Sequence, residues 1–247
     1  MSAATSAGAA AGLSLEVSAL RIAFAEHGDA MRTILDVPGL AAPGRAQVAL
    51  CGPSGSGKTT LLDVLAGLQR PQRGRVRWSA IELTAQDERA LTRWRRASVG
   101  FVFQHFHLFP GLTALENVLL PLRLAQWTVA PAMRQRALDL LGRVGVASEA
   151  RVAIMSRGEQ QRVAVARALV RHPPIVLADE PTASLDRDTG RNVADLLCAL
   201  CRETAATLIV ATHDPELAAR MDFTYEIADR HLRPRRRGEL ASIVSVM

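Results

Sequence analysis

Lysine is nearly absent. Of the 30 basic Lys and Arg side chains only Lys58 is a lysine. A chain that has almost discarded lysine keeps one inside a glycine-rich loop, which points to chemistry at that position. Cysteine is also scarce: Cys51, Cys198 and Cys201. Three thiols cannot close a disulfide framework, and a structural zinc site needs four ligands, so both are set aside. A reducing compartment fits. Long apolar runs are missing too. Stretches such as Val118–Leu122 and Thr207–Ala211 fall far short of the roughly 20 residues that a bilayer span requires. Any membrane part of a working complex would come from another chain.

The 49% hydrophobic and 22% charged content is that of a globular protein, and 247 residues can bury a sizeable core. The first twelve residues are Ala, Ser, Thr and Gly, with neither a basic start nor a Leu-rich stretch. They are expected to form a disordered leader rather than a secretion signal. Net charge is +6. A basic tail at 233–247 holds Arg233, Arg235, Arg236 and Arg237; a solvated tail is the expectation, and no nucleic-acid partner is expected.

Hydrophobic patterning predicts strands at Leu13–Phe24, Met31–Val37, Gln47–Cys51, Arg75–Trp78, Val99–Phe103, Ile175–Ala178 and Thr207–Ala211. A last strand pair is expected within Phe223–Leu232. Helices are predicted at Lys58–Leu68, through most of Leu112–Arg171 with breaks at Pro121, Pro131 and Gly142–Ala147, at Arg187–Glu203 and at Pro215–Arg220. Strands alternating with helices predict a parallel sheet covered on both faces.

Two motifs carry chemistry. The first is Gly52-Pro53-Ser54-Gly55-Ser56-Gly57-Lys58-Thr59, followed by Thr60. Glycines let successive N–H groups curl round phosphate oxygens, and the helix that follows adds its positive end. Lys58 reaches the outer phosphates and Thr59 supplies a hydroxyl to Mg²⁺. The second is Asp179-Glu180, closing an apolar strand. Asp179 is placed to hold Mg²⁺ and Glu180 to polarise the attacking water.

Further motifs follow in order: Phe103-Gln104, Met155-Ser-Arg-Gly-Glu-Gln-Gln-Arg162, Ala183-Ser-Leu-Asp186 and Thr212-His213-Asp214. This set resembles the ATP-binding subunits of ABC transporters, from about Leu13 to Leu232. Gly100–Gln104 with Leu108–Val118 is most similar to the subgroup serving lipoprotein release, macrolide-type efflux and bacterial cell division. The resemblance implies a P-loop NTPase (RecA-like) α/β core with an N-terminal antiparallel β subdomain and an inserted helical subdomain at about 110–165. It implies a homodimer that sandwiches ATP, with Ser156, Arg157, Gly158, Glu159 and Gln160 facing the partner's ATP. Gln104 then senses Mg²⁺ and water, Asp186 shapes the dimer contact, and His213 holds the γ-phosphate and the geometry of Glu180. Phe24 either stacks on adenine or fills the core.

The resemblance also implies a separate transmembrane permease and a place on the cytoplasmic face of the inner membrane. The apolar loop His105–Asn117 either contacts that permease or packs on the helical lobe. The signature departs from the family pattern, which has a glycine where Arg157 stands. Soluble relatives acting on ribosomes or DNA carry two phosphate loops or a long coiled coil, and this chain has neither. A regulator that drives a membrane protein mechanically, as in cell division, stays open as an alternative.

Overall fold

The computed structural model describes residues 12–25, 31–124 and 128–235. The described strands form one ten-stranded mixed sheet. In chain order they are β1 (Leu15–Ala25), β2 (Met31–Ala42), β3 (Gln47–Cys51), β4 (Arg73–Trp78), β5 (Ile81–Glu82), β6 (Val99–Val102), β7 (Ile175–Asp179), β8 (Thr207–Thr212), β9 (Phe223–Ala228) and β10 (His231–Pro234). The spatial order is β5-β4-β1-β2-β10-β9-β3-β8-β7-β6. One end is antiparallel, with β1 between β2 and β4. The other is parallel: β9, β3, β8, β7 and β6 all run the same way.

The parallel strands β3, β7 and β8 are buried at every residue. Covered on both faces, they read as unbroken apolar runs instead of alternating ones. Helices α1 (Lys58–Leu65) and α2 (Glu88–Ser98) pack on the cluster that holds Leu35, Leu61, Leu177 and Ile209. The opposite cluster gathers α3 (Ala114–Arg123), α4 (Pro131–Arg143), α5 (Arg157–Leu169) and α6 (Arg187–Glu203), with α7 (Pro215–Ala219) at its margin. Truncating a fully buried leucine such as Leu177 to Ala would cost ~2–5 kcal/mol.

Five local expectations change. β2 continues past Val37 to Ala42, through Pro38. Pro38 falls where the register skips Ala19, a residue at φ 47°, so its missing N–H breaks no ladder bond. Pro121 lies inside α3 instead of breaking it. The helix α2 was not foreseen; Asp87 caps it by accepting from the Ala90 N–H at 2.7 Å, and Leu91 and Trp94 bury its inner face. Gly12, assigned to the leader, donates its N–H to the Ala205 carbonyl at 2.7 Å. The rest of that leader, the turn at Gly28-Asp29 and tail residues 236–247 lie outside the described residues. Arg233 and Pro234, assigned to the tail, belong to β10, and the Arg235 N–H bonds Thr224. Among the described residues no helix is long and apolar enough to cross a membrane.

Candidate functional site

Strands β3, β7 and β8 end side by side, with Cys51 opposite Thr212 and Asp179 opposite Ala211. That register sets the loop after β3 beside the two acids that close β7. Gly57 caps α1 at φ 100°, a left-handed conformation that costs a side-chain-bearing residue dearly. Gly52 is fixed by space as well, because a Cβ there would stand 2.8 Å from the Ile227 carbonyl oxygen.

Lys58 is buried although charged. Its ammonium donates to the carbonyls of Gly52 (2.9 Å) and Pro53 (3.1 Å) and lies 3.1 Å from Glu180 Oε1. The other oxygen of Glu180 meets His213 Nδ1 at 2.8 Å. Glu180 therefore sits between a cation and an imidazole, and its backbone is held at φ 44° by an N–H bond to the Ala211 carbonyl. The Thr59 hydroxyl donates to Asp179 Oδ2 at 2.9 Å. Asp179 Oδ1 is buried with no hydrogen-bond partner. Burial pushes the Asp179 carboxyl above the usual carboxylate range, with the charge of Glu180 adding to it and Thr59 and Lys58 opposing.

These groups open onto a cavity of about 230 Å³ lined by Ile34, Ser54, Gly55, Gly57, Lys58, Thr59, Thr60, Gln104, Glu180 and His213. Gln104 also borders a second groove of about 660 Å³, with Arg157, Gln160, Ser184 and loop residues 105–108. It is the shared wall of the two. Phe24 is 45% exposed on β1, so it is not a core residue, and it stands outside the residues lining the phosphate cavity.

The signature segment is arranged differently. Ser156 caps α5, accepting from the Glu159 N–H, while Glu159 accepts from the Ser156 N–H (2.9 Å) and hydroxyl (2.7 Å). Those bonds hold the Glu159 carboxyl below its ordinary range. Gln160 donates to the Met155 carbonyl at 3.0 Å. Gly158 is buried against α6: a Cβ there would come 2.5 Å from Thr189 Cγ2. Thr189 donates its N–H to Asp186, the cap of α6, at 3.0 Å. Thr189 thus ties Gly158 to Asp186, and nothing in its sequence surroundings marked it. Gln161, part of the Met155–Arg162 motif but given no role by the sequence, is buried and donates to the Pro181 carbonyl at 2.8 Å, tying α5 to the loop after Glu180. Arg157 is exposed and turns toward the second groove. Neither Ser156 nor Gly158 lines the phosphate cavity of its own chain.

Comparison with known proteins agrees with this geometry. The family model described as ABC transporter matches residues 40–183. The lipoprotein-releasing system ATP-binding protein LolD of Anaeromyxobacter dehalogenans is 46% identical over 183 residues, 73% of this chain and 77% of that one. The LolD of Pseudomonas fluorescens is 45% identical over 188 residues, 75% and 82% of the two chains. A solved dimeric ATP-binding cassette, MJ0796, in a post-hydrolysis state bound to ADP and Pi, superposes with a TM-score of 0.80 at 36% identity. It covers 91% of this chain and 99% of its own. The chain belongs to the ABC transporter family, as one of its ATP-binding subunits.

Proposed function

We propose that two copies of this chain close head to tail around ATP and Mg²⁺, and that this cycle drives a separate membrane permease in export or extraction of a lipid-like substrate. The names of the lipoprotein-releasing relatives support that substrate class. The permease would hold the chain at the cytoplasmic face of the inner membrane. The observation that carries the reading is a divided site. Lys58, Glu180 and His213 stand together, whereas Ser156 and Gly158 lie outside their cavity. A second copy can bring that helix end, with its partial positive charge, to the γ-phosphate.

The cleft residues divide the work. Lys58 exchanges the Gly52 and Pro53 carbonyls and Glu180 for phosphate oxygens. Glu180, released from Lys58, accepts the proton of the attacking water. His213 keeps the Glu180 carboxylate aimed by its 2.8 Å contact. The buried, unpartnered Asp179 Oδ1 beside the Thr59 hydroxyl fits a hard cation with oxygen ligands. Asp179 and Thr59 would hold that cation, and among the described residues no cluster of three His, Cys, Asp or Glu could hold it without further ligands. Mg²⁺ there supplies charge that screens the phosphates. Gln104 relays between the cavity and the second groove, Asp186 shapes the contact between copies, and Phe24 supplies an exposed face for adenine. Phe109, 55% exposed, presents the loop that precedes α3, residues 105–113, to the permease.

The test is Glu180→Gln, whose amide cannot take the water's proton. With ATP and Mg²⁺ it should elute as a dimer and hydrolyse ~10²–10⁴-fold more slowly than wild type. Unchanged hydrolysis would overturn the reading.

A further inference from the structure

One half-buried cation among the described residues lies outside the phosphate machinery. Arg167, on α5, donates from Nη1 to the His107 carbonyl and from Nη2 to the Phe106 carbonyl, both at 2.5 Å. Among the described residues it makes no ion pair with an acid. Burial alone pushes its pKa down to about 10, so it remains a cation at neutral pH. A desolvated cation is costly unless its donors are engaged, and both engaged donors here go to one loop.

That loop needs holding. Phe106 and His107 have φ of 20° and 47°, which residues with side chains adopt only under constraint. Two residues on, the buried Asn117 of α3 grips Phe109 from both sides. Its amide oxygen accepts from the Phe109 N–H at 2.8 Å, and its amide nitrogen donates to the Phe109 carbonyl at 3.1 Å. Residues 106–109 are therefore fastened to α5 and α3, the helices of the lobe. Gln104, two residues before the first clamp, stands where the chain passes from β6 to the lobe.

We infer that Arg167 is a positioning residue that locks the loop after Gln104 to the signature helix, so that the loop and Ser156–Gly158 shift as one body. α5 carries the clamp near its C-terminal end and the signature at its N-terminal end. A push on Phe109 then reaches the partner's ATP through a rigid helix, and reaches the chain's own cavity through Gln104. This rests on the transport-ATPase reading.

The experiment compares full-length wild type with Arg167→Ala and Arg167→Lys, by amide hydrogen exchange and MgATP turnover. Arg167→Ala should raise exchange in residues 105–110 by about tenfold or more while β7 and β8 keep their protection. Its kcat should fall at least about tenfold through loose placement of the signature, with KM for ATP within about twofold because Lys58 and Thr59 are untouched. Arg167→Lys, keeping the charge and one reachable donor, should recover part of both. Three outcomes overturn the inference: unchanged exchange at 105–110, equal loss of protection across β7 and β8, or an altered KM with kcat intact. Absence of hydrolysis by the wild-type chain would defeat the reading beneath it, whereas normal wild-type hydrolysis with unchanged loop exchange defeats the inference alone.

Discussion

The two halves of the nucleotide site differ in what they leave undone. At the phosphate cavity Lys58, Asp179 and Glu180 are 5%, 6% and 9% exposed, crowded together, with one carboxylate oxygen unpartnered. At the signature, Ser156 and Arg157 are exposed, and Ser156 and Glu159 already satisfy each other. Buried charge is stable only when matched, so the first half is built to gain from a ligand. The second is a completed helix end, which under the proposed head-to-tail pairing gains only when another copy arrives. Substitutions should therefore cost function in the first and fold, or little, in the second.

The sharpest contrast is Lys58→Ala. It removes the cation that offsets Glu180 and faces the phosphates. ATP turnover should fall by ~10²–10³-fold, since preorganised charge in a partly dry site carries most of the transition-state stabilisation. Turnover within about twofold of wild type would erase the distinction between the halves.

Gly158→Ala tests the other half by packing. The added Cβ would meet Thr189 Cγ2 at 2.5 Å, and Thr189 is fixed by its bond to Asp186. A small overpacked site of this kind costs ~1–3 kcal/mol. Thermal unfolding should show that loss in the isolated chain, without ATP. Adding Thr189→Ser removes the offending methyl and should restore most of it. An unshifted melting temperature in the single variant would mean that the glycine is held for the partner's phosphate and not for α6.

What could be read in the sequence follows the same division. Gly52–Thr59 and Asp179-Glu180 announce themselves because phosphate and cation chemistry tolerates few residue types at fixed spacing. The buried strands β3, β7 and β8 were legible because burial on both faces leaves continuous apolar runs. Thr189, Gln161 and Arg167 were not, since each acts on backbone or packing partners brought near only by the fold. The continuation of β2 was hidden by Pro38, whose breaking tendency holds only where a ladder bond is needed. Helix α2 was hidden because only Leu91 and Trp94 are buried in an otherwise polar stretch. Arg157, which stands where the family pattern has glycine, is exposed and lines the groove shared with Gln104, outside its own chain's phosphate cavity.

That placement makes Arg157→Gly a milder test. Ser156 and Gly158 keep their geometry without the guanidinium, so turnover of the complete complex should change by less than about tenfold, within ~1.4 kcal/mol of barrier. A gain of about a hundredfold on restoring glycine would show a signature half crippled in the natural chain.

The smallest effect should be the opposite response of the two halves to acid. Burial raises the Asp179 carboxyl above 3.8, so in the metal-free chain its ionisation opposes folding. That contribution is absent below 3.8 and grows as pH rises through the raised value. A cation needs the ionised form, so affinity for Mg²⁺ should weaken as pH falls through that same raised value. Glu159 behaves oppositely. Its hydrogen bonds from Ser156 lower it beneath 4.5, so its contribution to α5 is full above 4.5 and fades only as pH drops through the lowered value. On acidification the Mg²⁺ dependence of nucleotide binding should therefore weaken already above pH 3.8, and protection of the α5 cap should persist below pH 4.5. Calorimetric titration of Mg²⁺ with a non-hydrolysable ATP analogue from pH 7 to pH 4, beside amide exchange at Glu159, measures both. Loss of protection at Glu159 already above pH 4.5, or a Mg²⁺ effect undiminished at pH 4, would reverse the assignment of the charged, ligand-seeking half and the self-satisfied one.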